Sequence, residues 1–477
     1  MGRACHPTSP SFFAARRKAK NRVKTSEWFF EYTGNPRPFG ARNLEFFGQD
    51  RYHEMVMPLS PVREITSLEL PSLHTRRTPL EIEHPELRTE LDLNFPGTDT
   101  QHSTHALHTY VAAINPPLAR HVIEHYVPRG ETILDPFCGG GGVMVEAILS
   151  GRGAWGSDVN PLAVLLSSAK TTQIDMKRTQ AAFFQILERV SSGECEPLEV
   201  PEVVSFWYLP ESLPILCRLR DAVLKVKDES VRTLFRVVLS ATARDVMLTY
   251  RGEIRLRRMT GKDLEKFQPD VLASFKKRAL VAIARVDALP KGASAKIELC
   301  DCRELSADKV HSVITSPPYA DDTNGVGYFQ FSRNMMFWVG VPLDFQKTQR
   351  RSFLGGGHGL PTMEHVEKSE TLRRVLEVIG SRKRAHHIDA AAFYGDYYRA
   401  LENVTAHALE RAIVIIGNRV LSRTTIDNGH ITTEFMDALG FRLEHYYSRE
   451  LKKKRIANLG GDGGGTSIEH VLVYHRG

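Results

Sequence analysis

The stretch VITSPPYADD, residues 313–322, sets two acceptors and an aromatic ring side by side. Two β-branched apolar residues run into Thr315-Ser316-Pro317-Pro318-Tyr319. Proline donates nothing to a sheet ladder, so a double proline ends a strand abruptly. With the backbone fixed, the Ser316 hydroxyl and a proline carbonyl present two acceptors without loop entropy. Together they suit the two N–H bonds of one amino group, and Tyr319 adds a flat face for a ring. That combination predicts a pocket for a flipped nucleobase with an exocyclic amine; a rigid turn with a packed tyrosine is the alternative.

A second constellation lies in ETILDPFCGGGGVMVEAILSGRGAWGSDVNPLA, residues 131–163. A short apolar strand closes on Asp135-Pro136, four glycines follow (Gly139 to Gly142), then a helix and a strand ending at Asp158. Glycines before a helix let backbone N–H groups approach a ligand closely. No Gly-Lys-Ser/Thr is present, so this is not a phosphate loop, and consecutive glycines do not match Gly-x-Gly-x-x-Gly. Asp158, at the end of the next strand, can accept both hydroxyls of a ribose; a helix cap is its alternative role. The order strand, glycine loop, helix, strand, acid is half of a doubly wound α/β sheet, which binds ligands beyond its strand ends.

The elements that must position these residues follow from periodicity. Pro117 opens a helix with Leu118, Val122 and Tyr126 on one face. Residues 176–285 read as a helical insertion, with Leu216, Leu219, Val223 and Val226 at 3-4-3 spacing. It carries the basic run YRGEIRLRRMTGK, in which Arg255, Arg257 and Arg258 are candidate phosphate contacts, as are Lys452 to Arg455; a solvated charged face is the plain reading. Strands resume at AKIELCD, HSVITSPPY and RAIVIIGNRV, and GFRLEHYYSREL with SIEHVLVYHR reads as an antiparallel pair. Residues 1–100, rich in proline and without sustained periodicity, read as an irregular basic extension. The core is then expected in two parts, a cofactor half at 101–175 and a catalytic half at 286–477.

Composition frames the site. The chain has 477 residues, 42% hydrophobic and 25% charged, ordinary globular material. No run reaches the ~18 apolar residues of a membrane span. Six scattered cysteines without Cys-x-x-Cys argue against zinc and disulfide frameworks, so no metal and a reducing cytoplasm are expected. The net charge of +7 favours a polyanionic partner.

The motifs together resemble the amino-methyltransferases of DNA, which use S-adenosylmethionine (AdoMet). LDPFCGGGGVMVEA resembles their Asp-Pro-Phe-x-Gly-Ser-Gly-Thr motif, and THALHTYVAAINPPLARHVIEHY is similar to the segment that closes over the cofactor. TSPPY resembles the catalytic motif, in the form more typical of N4-cytosine enzymes than of the Asp-Pro-Pro-Tyr adenine enzymes. YFQFSRNMMFWVG and the closing SIEHVLVYHR also look like family features. The chain departs from the family in having four glycines where two hydroxyls are usual. Its cofactor motif precedes the catalytic one, across a long insertion.

The resemblance implies a Rossmann-like class I methyltransferase fold: a mostly parallel seven-stranded sheet with an antiparallel C-terminal strand. It implies AdoMet as cofactor, with Phe137, Gly139 and Gly141 packed against it, Asp135 facing its amino group, Asp158 on its ribose and Asp301 on its adenine. Asn115 and His108 belong to the closing segment. Ser316, Pro317, Pro318 and Tyr319 are the implied catalytic residues. Double-stranded DNA is the implied partner, and a cognate restriction endonuclease a candidate one. For this motif order base reading is expected at 341–390, which carries Arg350 and Arg351. An adenine-N6 enzyme, an RNA guanine-N2 enzyme and a non-catalytic nucleic-acid-binding relative are the rival readings.

Overall fold

A computed structural model describes residues 80, 83–89, 93–250, 256–322, 325–356, 363–451 and 468–477, without the side chains of residues 347, 348, 350 and 363. The chain divides into Met1–Leu70 and Pro71–Gly477, and the described residues lie in the second unit. The expected irregular extension is therefore outside them except near its end, where one 3-10 turn, Pro85–Leu87, is formed.

Seven strands make one sheet in the order β3-β2-β1-β4-β5-β9-β8. They are β1 (Thr132–Asp135), β2 (Gly153–Asp158), β3 (Lys296–Leu299), β4 (Val310–Thr315), β5 (Ala408–Gly417), β8 (Phe441–Glu450) and β9 (Ile468–Arg476). The pairs from β3 to β5 are parallel, and β9 is antiparallel to both β5 and β8. A small ribbon of β6 (Arg419–Leu421) and β7 (Thr424–Ile426) follows β5. This is the expected Rossmann-like arrangement.

Alternation along the strands builds two apolar layers. Ile133, Ile314, Ile413 and Val473 face helices α1 (Pro116–Tyr126) and α2 (Gly142–Leu149). Leu134, Val313, Val414 and Leu472 face the opposite layer, with Phe393 and Tyr397 of the long helix Arg384–Ala406. Burial on both faces explains the apolar runs Val313-Ile314 in β4 and Ala412 to Ile416 in β5.

After β2 comes helix α3 (Pro161–Thr171), and then the insertion folds as helices, the longest Met176–Ser192, Leu213–Leu224, Glu229–Asp245 and Val271–Asp287. Asp175, Asp228 and Asp270 cap three of these, each accepting from a backbone N–H in the first turn. Leu216, Leu219 and Val223 are buried, as their spacing predicts, in one apolar cluster with Leu162 and Leu166 of α3. The insertion thus braces the helix that flanks the glycine loop.

Candidate active site

The chain reverses its direction of travel across the sheet between β1 and β4, and the catalytic motif and the glycine loop both leave the sheet there. A cavity opens at that switch point, where α/β sheets leave room for ligands. Its lining includes Asp135, Phe137, Gly139, Asp158, Asp301, Ser316 and Pro318. Seven residues singled out from three distant stretches of sequence line one cavity.

The loop is built from within. The Gly139 N–H donates to Asp158 Oδ2 at 2.9 Å and the Asn160 N–H to Oδ1 at 2.8 Å. Ser167 Oγ donates to the Gly139 carbonyl at 2.8 Å and Lys170 Nζ to the Gly140 carbonyl at 3.0 Å. Segment 110–114 closes over the top. A Cβ on Gly140 would stand 2.7 Å from Tyr110 Cβ, and one on Gly142 2.5 Å from Ile114 Cγ2. The glycines are therefore demanded by close approach, and Gly141 (φ 80°) also by backbone conformation.

Burial governs the electrostatics. Asp135 is pushed up to about 7, against donated hydrogen bonds from the Thr315 hydroxyl (2.9 Å) and the Phe137 N–H (3.1 Å). Asp158 is pushed up to about 6 by burial, opposed by its backbone donors. Thr315 immediately precedes Ser316, so its bond to Asp135 ties the Thr315–Tyr319 motif to the glycine loop. Asp301 lies on the wall, but Arg303 holds both its oxygens, at 2.9 and 2.5 Å, and also pairs with Asp396.

Several expected residues stand elsewhere. Gly141 packs against Ser167 and does not line the cavity. Asn115 lies outside the lining, at the start of α1 without a side-chain cap bond. His108 is buried against the insertion, its Nε2 3.0 Å from Ser240 Oγ, and burial lowers it to about 3. Pro317 and Tyr319 alternate along the chain with Ser316, Pro318 and Ala320 of the lining and are not part of it. The Tyr319 hydroxyl donates to Glu469 Oε1 at 2.7 Å.

Arg257 stacks on Tyr250, its guanidinium 4.2 Å from the ring centre, and Arg258 covers Phe206 at 4.8 Å while donating to that residue's carbonyl. Arg351 is exposed. Arg255, Lys452 to Arg455 and the side chain of Arg350 are outside the described residues.

Tyr110, Asn160 and Tyr328 join the cavity unforeseen. Asn160 Nδ2 bonds both the Tyr110 hydroxyl (2.9 Å) and Ser332 Oγ (2.7 Å). Asn160 stands two residues beyond Asp158, the end of its strand, a position from which it was findable. Tyr328 reaches the cavity only through tertiary packing.

Among the described residues, His102, His105 and Glu146 form the group with metal-ligand atoms close together. Both Nε2 atoms lie within hydrogen-bond distance of Glu146 Oε1, at 2.6 and 2.8 Å. Arg120 takes Oε2 at 2.8 Å and reaches His102 Nε2 at 3.0 Å, competing for the lone pair a metal would need. The cluster pins the closing segment to α2.

Residues 14–168 match the family model described as DNA methylase. The chain is similar to the type II methyltransferase M.MvaI of Kocuria varians, 26% identical over 400 residues, covering 76% of this chain and 87% of that one. Both likenesses agree with the resemblance to the amino-methyltransferases of DNA that the motifs carry. A shorter likeness, 26% over 90 residues, joins it to the type II methyltransferase M.MjaII of Methanocaldococcus jannaschii, covering 19% of this chain and 17% of that one. The rRNA methyltransferase aviRa of Streptomyces viridochromogenes aligns at 12% identity over 77% of this chain and 88% of that one, with a TM-score of 0.27, and no argument rests on it.

The cofactor that the motifs imply is AdoMet, and the lining of the cavity fits it. Glycines without side chains and three carboxylates, Asp135, Asp158 and Asp301, line the cavity together. Carboxylates complement a ligand that carries an ammonium, a sulfonium and a ribose diol.

Proposed function

We propose that this DNA methyltransferase modifies the exocyclic N4 of cytosine in double-stranded DNA, acting on a flipped base. The observation that carries the reading is Ser316 on the wall of the same cavity as the glycine loop and Asp158. The amine lone pair of cytosine is delocalised into its ring and is a poor nucleophile. Ser316 Oγ and the Pro317 carbonyl accept its two N–H bonds, favour a tetrahedral nitrogen and localise that pair. Phe137, Gly139, Asp135, Asp158 and Asp301 hold AdoMet, which when bound supplies a methyl group on a sulfonium. In-line positioning then supplies most of the rate.

Neighbouring bases need another element. Residues 341–390 are assigned to base reading, since Ser352, Phe353 and Leu354 already line the cavity. Phosphate clamping is assigned to the insertion through Arg257 and Arg258. No described helix is long and apolar enough to cross a membrane; we place the enzyme in the cytoplasm, with a restriction endonuclease as candidate partner and no metal in catalysis. Mass spectrometry of DNA digested from expressing cells is expected to show N4-methylcytosine. N6-methyladenine as the sole product transfers the assignment to the adenine enzymes.

A further inference from the structure

Glu469 sits on β9 opposite Gly417 of β5 and Arg449 of β8, beside the end of the sheet from which the catalytic motif leaves. Its Oε1 accepts the Tyr319 hydroxyl at 2.7 Å, while Oε2 accepts Arg449 Nε at 2.7 Å and Nη2 at 2.5 Å. Glu469 and Arg449 are both buried, with side chains 8% and 9% exposed. Tyr319 is held at its other end as well. Asn428 Nδ2 donates to the Tyr319 carbonyl at 3.0 Å and to the Gly417 carbonyl at 2.7 Å, and the Tyr394 hydroxyl donates to Asn428 Oδ1. A buried charged pair is costly to assemble and is a weak means of stabilising a fold. Here one oxygen of the pair is spent on the aromatic ring of the catalytic motif.

We propose that Glu469, braced by Arg449, is a positioning residue that orients and polarises Tyr319 for methyl transfer. This rests on the reading of Tyr319 as a contact of the target base. Two physical effects follow. The hydrogen bond fixes the position of the ring's tip, which a phenylalanine would leave to packing alone. A phenol donating to a carboxylate also gathers negative charge on its ring, and the newly methylated amine is cationic until it loses a proton. A cation is attracted to an electron-rich aromatic face, most strongly where water is excluded. Glu469 thereby favours the charged stage of the reaction and leaves the neutral base nearly indifferent, so its influence falls on rate and little on affinity.

The test is a double-mutant cycle of Glu469→Gln with Tyr319→Phe, using single-turnover methylation of a duplex carrying the sequence mapped as modified in expressing cells. Glu469→Gln is expected to slow methyl transfer on the order of tenfold, with dissociation constants for AdoMet and duplex changed less than twofold. In the Tyr319→Phe background it is expected to slow the reaction no further. Equal slowing in both backgrounds, or none in the Tyr319 enzyme, overturns the proposal. Should Glu469→Gln fail to fold, Glu469→Leu with Arg449→Leu removes both charges and strands neither, and the same comparison decides. Full activity in Tyr319→Ala instead removes the underlying reading of Tyr319, an outcome distinct from a Glu469 that does not couple to an essential tyrosine.

Discussion

On the proposed reading individual side chains divide between cofactor and base, and the division is measurable. Ser316 and Asp158 line one cavity, but only Asp158 is bound into the glycine loop, through the Gly139 N–H. Asp158→Ala is expected to weaken AdoMet binding sharply by calorimetry, while Ser316→Ala lowers the methylation rate constant with AdoMet affinity nearly unchanged. A fully active Ser316→Ala enzyme removes the proposed role of its hydroxyl. The two buried carboxyls add a pH dependence. Asp135 and Asp158 are raised from 3.8 to about 7 and about 6. Their contribution to the stability of the unliganded protein is therefore full below 3.8 and is lost as pH rises through those folded values. A cationic ligand needs them ionised, so AdoMet affinity runs the opposite way and falls as pH drops through about 7 to 6. Calorimetry across that range checks the sign, and Asp135→Asn flattens the upper part of the curve.

At the scale of elements, the glycine loop and the closing segment are two halves of one clamp. The closing segment is pinned from below, where His102 and His105 meet Glu146 of α2, and it lies on the loop with no room for a Cβ at Gly140. Gly140→Ala drives a methyl into Tyr110, whose ring lines the cavity. Overpacking of this kind costs about 1–3 kcal/mol. The variant is expected to melt at lower temperature and to bind AdoMet more weakly, since relief requires the segment to lift. Unchanged affinity with an unchanged melting temperature shows the segment free to move and refutes the clamp. The family's usual hydroxyl-bearing loop is met here by glycine because Tyr110 and Ile114 occupy the space those side chains need.

For the whole molecule, the question is how a one-base pocket meets a polymer. The insertion buries its apolar face against α3 and presents Arg257 on the half-buried Tyr250 and Arg258 on the exposed Phe206. Phosphate contacts strengthen binding to any sequence, and each contributes about 0.9 to the salt slope for duplex DNA. Arg257→Ala with Arg258→Ala is expected to weaken binding to all duplexes alike and to flatten that slope, with the methylated sequence unchanged. A changed target sequence in that variant, with Arg351→Ala silent, exchanges the roles assigned to the insertion and to residues 341–390.

Sequence alone determined what depends on neighbours along the chain. Pro317-Pro318 ends β4, Asp135 and Asp158 close β1 and β2, and the apolar runs of β4 and β5 mark strands buried on both faces, because local sterics and periodicity act over a few residues. The order of motifs sufficed to bring Asp135, Asp158, Asp301 and Ser316 to one cavity. What tertiary structure decided is which way each side chain turns and what meets it. His108 faces Ser240 across 132 positions, Arg303 claims Asp301, and Tyr319 finds Glu469 150 residues away. Those partners come from elements brought together by sheet order and helix packing, and no spacing along the chain encodes a contact between β4 and β9, two strands that are not even neighbours in the sheet.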